Sequence, residues 1–326
     1  MKRFLFRHYL AHLETLTGTQ RQQVIAALQR PDPGGTVPHQ VRARERRLAD
    51  ERRCIHCGAT GTRKHGKSAG LMRFRCLAEG CGKTYTALTG TGLAKLRHRG
   101  KWPLFQECLR QRTTLQEAAN RCGIGYRTAF LWRHRFLAEA RALAPLCGVV
   151  EMDETFFAES AKGDRTLRRR RPPRKRGGLR GQRGLSHAQQ PIMTAVARGG
   201  ETYAWHSFAT GAVSVTVTMR SRTNPDTVIV SDAHRSYAAA TRQLERPHEV
   251  INRSHGERVR GRWHLNTVNN RHQTMKTTLN RWHRGVGTKY LDNYMNWLMR
   301  QEFRPDKTIE PDFIRDHMQQ KQQLNT

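Results

Sequence analysis

Acidic residues are scarce in this 326-residue chain, where 26 Asp and Glu stand against 59 Lys and Arg and the formal net charge is +33. A compact protein with such a surplus repels itself unless a polyanion is its working partner. Nucleic acid is the strongest candidate, because neutralising phosphates releases counterions and gives affinity that does not depend on sequence. Long apolar runs are also missing. None approaches the roughly 20 residues that span a bilayer, and the opening Met1-Lys2-Arg3-Phe4-Leu5-Phe6-Arg7-His8 meets charge too early for a secretory signal. No membrane partner is expected. Nor is there an even set of cysteines: seven occur, four of them clustered, which argues against a secreted disulfide framework and for a reducing cytoplasm. Hydrophobic residues reach only 37%, below average yet sufficient for packed domains.

The length favours two or three compact units. Residues 1–49 form a helical N-terminal segment, with Phe6, Leu10, Leu13, Val24, Ile25 and Leu28 as apolar positions, broken by Pro31-Asp32-Pro33-Gly34-Gly35. A cysteine-rich module follows at 50–90 and a helical region at 91–147. From 148 the pattern turns to short apolar runs typical of strands: Val149–Phe157, Ile192–Ala197, Thr202–Phe208, Val213–Thr218 and Thr227–Val230. Gly199-Gly200 between two of them signals a hairpin turn. Helical periodicity returns after about 260 through Trp263, Val268, Met275, Leu279 and Trp282. One biased insertion, 162–184, interrupts the strands. Its residues 165–184 hold ten Arg or Lys and no acid. A solvated loop is the bland reading; beside candidate catalytic acids, a clamp on the DNA backbone is the better one. It names Arg168, Arg169, Arg170, Arg171, Arg174, Lys175 and Arg176.

Cys54-Ile55-His56-Cys57 and Cys76-x4-Cys81 make two knuckles separated by eighteen residues. Closely spaced pairs put two thiolates on one turn, and zinc takes four such ligands tetrahedrally. The pattern is that of a zinc ribbon whose second pair has four intervening residues instead of two. His56, between two cysteines, points away.

Thr114-Leu115-Gln116-Glu117 reads as a capping box that opens a helix. Leu115, Ala118, Ala119 and Cys122 then share one face, Gly123 supplies a turn, and a second helix from Tyr126 turns Ala129, Trp132 and Phe136 inward. This is the size and pattern of a helix-turn-helix, whose second helix enters the major groove. Arg127, Thr128, Arg133 and Arg135 are left to face DNA, Arg127 and Arg133 being the main candidates. An ordinary helical hairpin is the alternative.

Asp153 lies near the end of the apolar run from Val149, and Asp232 follows the run Thr227–Ser231. An acid at the end of a buried strand is costly unless something positive compensates it. Each acid alone is as well explained as a strand-end cap; if the strands are neighbours, both carboxylates can hold a shared Mg²⁺. Asn269 and Lys276, seven residues apart, share one face of a helix.

These stretches together resemble a known group. The ribbon followed by Thr89-Gly90-Thr91, the helix-turn-helix, Met152-Asp153-Glu154-Thr155-Phe156, Ser231-Asp232, His264-Leu265-Asn266-Thr267-Val268-Asn269 and Gly287-Thr288-Lys289-Tyr290-Leu291-Asp292-Asn293-Tyr294 look like the zinc-ribbon transposases of the insertion-sequence 1595 family, in the RNase H-like DDE superfamily. The resemblance implies an α/β fold, an RNase H-like mixed sheet flanked by helices over 148–326, preceded by the zinc ribbon and helix-turn-helix. It implies that Asp153 and Asp232 bind catalytic Mg²⁺ or Mn²⁺, that Asn269 stands where many relatives carry glutamate, that Lys276 is the helix's basic residue, and that His264 approaches the scissile phosphate. Structural Zn²⁺, DNA (transposon ends and target) as partner, a homo-oligomer on DNA and a place at the bacterial nucleoid follow from it. Asn269 gives up one negative charge, so weaker metal binding than at a glutamate site is expected. A domesticated, catalytically inactive DNA-binding regulator and a nuclease that cuts without joining are the competing functions.

Overall fold

The computed structural model describes residues 15–22, 37–138, 144–162, 189–308 and 310–319. The basic residues Arg168, Arg169, Arg170, Arg171, Arg174, Lys175 and Arg176, and the apolar positions proposed for the first helix, lie outside them. Two compact units emerge. One spans Leu137–Pro311; the other comprises the residues before it together with 312–326.

In the first unit, helix α1 (His39–Glu51) leads into a three-stranded antiparallel sheet, β1 (Thr62–Ser68), β2 (Leu71–Cys76) and β3 (Thr84–Thr86), in the order β1-β2-β3. Phe74 and Tyr85 are buried and stack with ring centroids 5.5 Å apart. Three helices follow: α2 (Trp102–Arg110), α3 (Leu115–Cys122) and α4 (Tyr126–Leu137). The Thr114 hydroxyl accepts from Glu117 N at 3.1 Å, so the capping signal in the sequence is a real helix start. Gly123 stops α3 at φ 56°, in the left-handed region that glycine enters without strain. Trp102, Phe105, Trp132 and Phe136 are fully buried and meet edge-on or stacked. The sequence assigns 148–326 to one domain, but a last helix, α9 (Phe313–Gln319), belongs with this unit. Its residues hold α1 and α2: Asp312 accepts from Gln40 Nε2 at 2.9 Å, His317 O from Arg44 Nη1 at 3.2 Å, and Ile314 N donates to Gln106 Oε1 at 3.0 Å.

The second unit is built on a five-stranded sheet in the order β6-β5-β4-β7-β8. Its strands are β4 (Val149–Ala158), β5 (Gln189–Ala197), β6 (Thr202–His206), β7 (Val228–Asp232) and β8 (His248–Ile251). The first three form an antiparallel meander, with Gly200 (φ 96°) in the β5–β6 turn, whereas β7 and β8 run parallel to β4. Helix α5 (Ala212–Arg222) joins β6 to β7, α6 (Arg235–Gln243) joins β7 to β8, and α7 (Asn266–Lys276) follows. Helix α8 (Leu291–Gln301) packs against β6. This is an RNase H-like mixed sheet flanked by helices.

The run Val213–Thr218, expected as a strand for its β-branched residues, is helical. β6 and β7 are both parallel to β4 and lie on opposite sides of it, and such a connection needs a crossover, usually a helix. Tertiary context overrides local propensity: Val215 and Met219, four residues apart, are buried while Val213 is 78% exposed.

Alternation along the strands sorts the side chains into two layers. Val150, Met152, Ile229 and Met193 pack with Val215 of α5 and Tyr237 of α6. On the other face Val149, Val230, Val196 and Ile251 pack with Val268 of α7 and with Leu265, which caps its start. The odd-numbered residues of β4 therefore share a layer with α7, and it is there that the polar groups collect. Among the described residues no helix is long and apolar enough to cross a membrane.

Candidate functional site

The parallel pairing of β4 with β7 matches Val149 to Val228, Val150 to Ile229 and Glu151 to Val230. Two residues further on along both strands stand Asp153 and Asp232, the positions that this register sets side by side on one face. Asp153 O δ1 accepts from Glu154 N at 2.9 Å, and Asp232 Oδ1 accepts from His234 N at 3.0 Å. Burial pushes the Asp153 carboxyl up to about 6; the charge of Asp232 adds to this, while the Glu154 N–H, Arg253 and Lys276 oppose it. Glu154, on the α6 side, is pushed by burial to about 7, with the Tyr237 hydroxyl opposing and the Asp153 and Asp232 charges reinforcing the rise. Asp153 and Glu154 are thus partly dehydrated, and the charge of Asp232 adds to the cost of ionising each. An added cation relieves that cost.

Helix α7 brings the remaining members. Leu265, Asn269, His272 and Lys276 recur at helical spacing on one face, and all four line a cleft of about 880 Å³ with Asp153 and Arg253. The Asn269 Nδ2 donates to Leu265 O at 2.6 Å, which fixes the amide and leaves its oxygen as the end able to meet a ligand. His272 Nδ1 lies 3.8 Å from Asp153 Oδ2. Burial, aided by the Lys276 charge, lowers the His272 pKa to about 4, so near neutral pH the contact joins a carboxyl to an uncharged ring. Sequence reasoning passed over His272, though its place three residues after Asn269 and four before Lys276 was a usable signal.

His264 takes a different position from the one expected. Its Nδ1 lies 3.2 Å from Glu151 Oε1 and accepts from Asn266 N at 3.3 Å, at the mouth of α7. Glu151 is fully buried, and it accepts from Thr267 N (2.9 Å), Thr267 Oγ1 (2.9 Å) and Val268 N (3.0 Å). Those are the orphan donors of the first turn of α7, met by a carboxylate at the positive end of the helix dipole. The sequence showed Glu151 only as a charge inside an apolar run. A buried glutamate two residues before an acid of the site has this physical reason: it ties the helix bearing Asn269 to the strand bearing Asp153.

The segment Gly287-Thr288 closes the far end of β4. Thr288 N donates to Ser160 O at 2.8 Å and Ser160 N to Thr288 Oγ1 at 2.8 Å. A Cβ at Gly287 would lie 3.1 Å from Lys162 O, so only glycine fits without displacement.

In the first unit, Cys54, Cys57, Cys76 and Cys81 come together with their sulfurs all within 4.8 Å of one another. Cys54 and Cys81 are 3.9 Å apart and Cys57 and Cys76 3.7 Å. The edge of a tetrahedron with Zn–S bonds of 2.3 Å is about 3.8 Å. His56 N and Ala78 N donate to Cys54 Sγ and Cys76 Sγ at 3.3 and 3.4 Å, which suits thiolate ligands, and the His56 ring packs edge-on to Tyr85. Four sulfurs at this spacing fit zinc. The acids and amide of the cleft, hard oxygen donors, fit magnesium or manganese.

Only part of the expected helix-turn-helix surface is available. Arg127 is exposed. Arg133 is 3% exposed and donates to Thr113 O at 2.7 Å, so it serves the packing of α4 instead of a DNA-facing surface. Arg135 likewise holds Gly92 O and Ala94 O at 2.5 and 2.9 Å. Both fall on the side of α4 that turns toward its own unit.

Sheet order and helix placement define the second unit as an RNase H-like domain, with Asp153 midway along β4 and Asp232 at the end of β7. Residues 145–304, just under half of the chain, match the family model of the ISXO2-like transposase domain. Solved structures similar to it include the catalytic core domain of BIV integrase, at 14% identity over 48% of this chain and 84% of that one (TM-score 0.28). Another is a chain of the simian T-cell lymphotropic virus intasome in complex with PP2A regulatory subunit B56 gamma, at 12% identity over 61% and 69% of the two chains (TM-score 0.31). No curated protein matches the chain in sequence.

Proposed function

We propose that this protein binds the inverted-repeat ends of an insertion sequence, cleaves DNA there and joins the resulting 3′ ends to target DNA. The observation that carries the reading is the β4–β7 register, whose continuation sets Asp153, midway along β4, beside Asp232 at the end of β7, with Asp153 and Asn269 lining one cleft. The two carboxylates and the Asn269 amide oxygen would hold Mg²⁺ or Mn²⁺, which supplies Lewis-acid stabilisation of the charge that develops on the phosphodiester oxygens. Glu151 keeps α7 seated so that Asn269 stays opposite Asp153. Lys276, exposed on the cleft-lining face, offers its ammonium to a phosphate. His264 steadies the mouth of α7 by accepting from Asn266 N through Nδ1 and is assigned no proton transfer.

Hydrolysis breaks one P–O3′ bond and leaves a 3′ hydroxyl. That hydroxyl then forms one P–O bond in the target as another breaks, so the joining step conserves phosphodiesters and needs no covalent intermediate with the protein. Two ends and one target require more than one active site, and the protein works as a homo-oligomer on DNA. The zinc ribbon and the helix-turn-helix, with Arg127, supply end recognition.

Asp153→Ala or Asp232→Ala should abolish cleavage of end DNA in Mg²⁺ or Mn²⁺ while leaving end binding within about twofold. Cleavage by either variant at the wild-type rate would overturn the assignment. Asn269 favours a second reading, a DNA-binding regulator without chemistry; absence of any cleavage by the wild-type protein would select it, and cleavage without strand-transfer products would select a nuclease.

A further inference from the structure

The α7 side of the sheet carries a basic feature that the cleft does not use. After β8 the chain forms a short hairpin, β9 (Val259–Arg260) paired with β10 (Trp263–His264), turning at Gly261 (φ 57°) and Arg262. Trp263 packs against the Val196, Val230, Ile251 core. The guanidinium of Arg262 sits over its ring at 4.4 Å from the centroid and that of Arg198, from the β5–β6 turn, at 5.7 Å. Arg198 also donates from Nη2 to Arg262 O. Two exposed cations are therefore gathered on one indole. Neither makes an ion pair with a described residue, although Arg260 on the same hairpin does, with Glu249 at 2.7 Å. Like charges brought together without a carboxylate repel, and an anion from outside the protein relieves that repulsion. Stacking on Trp263 pre-sets both guanidiniums, so little side-chain freedom remains to be lost on binding.

The place of this pair gives the partner. Arg198 N donates to Val149 O, at the start of β4. Four residues further along the same strand is Asp153; at ~3.3 Å per residue that is about 13 Å. Phosphates on one strand of B-DNA recur every ~3.4 Å along the axis, so about four nucleotides fit in that interval. Arg253 and Arg258 line the cleft with Asp153 and add positive charge there. We propose that Arg198 and Arg262, held on Trp263, form a phosphate-binding surface for the DNA flanking the scissile phosphodiester, about four nucleotides from it. The proposal rests on the reading of the cleft as a DNA-processing site.

The test is the salt dependence of binding to duplex DNA by the full-length protein, wild type against Arg198→Gln/Arg262→Gln and Arg198→Lys/Arg262→Lys. Two lost phosphate contacts should lower the slope of log K against log salt by about 1.8, at 0.9 per phosphate, in the Gln variant. The Lys variant, which keeps the charges, should retain most of the slope and also reports that the hairpin tolerates substitution. On end duplexes trimmed in single-nucleotide steps from either side of the scissile phosphate, the gap between wild type and Gln variant should close once fewer than four nucleotides remain on one side. An unchanged slope in the Gln variant, or a gap that survives trimming of both sides, overturns the inference. The slope is read on plain duplex without cleavage, so a wild-type protein that fails to cut refutes the proposed chemistry and not the surface.

Discussion

Glu151 and Thr267 are joined twice, backbone N to Oε2 and hydroxyl to Oε1, both at 2.9 Å and with the carboxylate wholly out of water. A strand in the centre of the sheet thereby holds the first turn of the helix that carries Asn269. Removing the carboxylate leaves a buried helix end without acceptors. Glu151→Ala should lose about 3 kcal/mol of stability in a denaturant titration of the protein, since charge-assisted hydrogen bonds contribute ~1.5–3 kcal/mol each and are not additive. Glu151→Gln keeps the shape and part of the bonding. It should remain folded yet need several-fold more Mn²⁺ for cleavage, because α7 is held less firmly over the acids. A Gln variant with the wild-type Mn²⁺ requirement would reduce Glu151 to a purely structural part.

Asn269 tests the charge of the site. Asn269→Asp adds a negative oxygen beside Asp153 and should tighten Mn²⁺ binding, measured calorimetrically, by tenfold or so, while giving up the bond to Leu265 O. Asn269→Ala should weaken it. Equal affinities for all three proteins would remove Asn269 from the ligand set.

Metal binding should depend on pH with a definite sign. The Asp153 carboxyl is raised to about 6 from its ordinary value of 3.8, so the metal-free folded state holds its proton more tightly than the unfolded chain does. This group's contribution favours the fold at low pH and is lost as pH rises from about 4 through 6. A divalent ion competes with that proton, so thermal stabilisation by Mg²⁺ should be small at pH 5, grow through pH 6 and level off near pH 7.5. Stabilisation equal at pH 5 and 7.5 would contradict the buried-acid description.

Arg127 and Arg133 separate contact from packing. Arg127→Ala should weaken end binding and leave thermal stability alone. Arg133→Ala should lower stability by about 1–2 kcal/mol through the lost bond to Thr113 O. Reversed effects would restore Arg133 to the DNA-facing surface.

Removing zinc should act on one unit. Chelation, or Cys54→Ser with Cys81→Ser, should release one equivalent of zinc by mass spectrometry and abolish selective end binding. Because structural zinc contributes folding energy outright, the ribbon unfolds without it. Retained selectivity in the zinc-free protein would place recognition elsewhere.

Much of this architecture was legible in the sequence where local chemistry is strong. Paired cysteines announce their own ligand set, Thr114 with Glu117 and Gly123 bound α3 from both ends, and Gly199-Gly200 marks a turn. Asp232 was readable as a strand-end carboxylate, whereas β4 runs on past Asp153 to Ala158, and the nearness of the two acids rests on a parallel register that no local pattern encodes. What stayed hidden depended on partners far along the chain. Arg133 looks like any exposed arginine until Thr113 O is placed against it. Val213–Thr218 reads as strand until the β6–β7 crossover requires a helix. Glu151 and His264, 113 positions apart by their numbers, show their pairing only once α7 lies on β4.

The return of α9 to the first unit has a consequence for biogenesis. Gln40, Arg44 and Gln106 bond to Asp312, His317 and Ile314, so a nascent chain emerging from the ribosome completes the RNase H-like sheet before it can finish the unit that carries the ribbon and the helical bundle. Until residues 312–319 are made, those three polar side chains lack their native partners. The unit that carries the four clustered cysteines therefore closes after the five-stranded sheet of the second unit, although it begins before it in sequence.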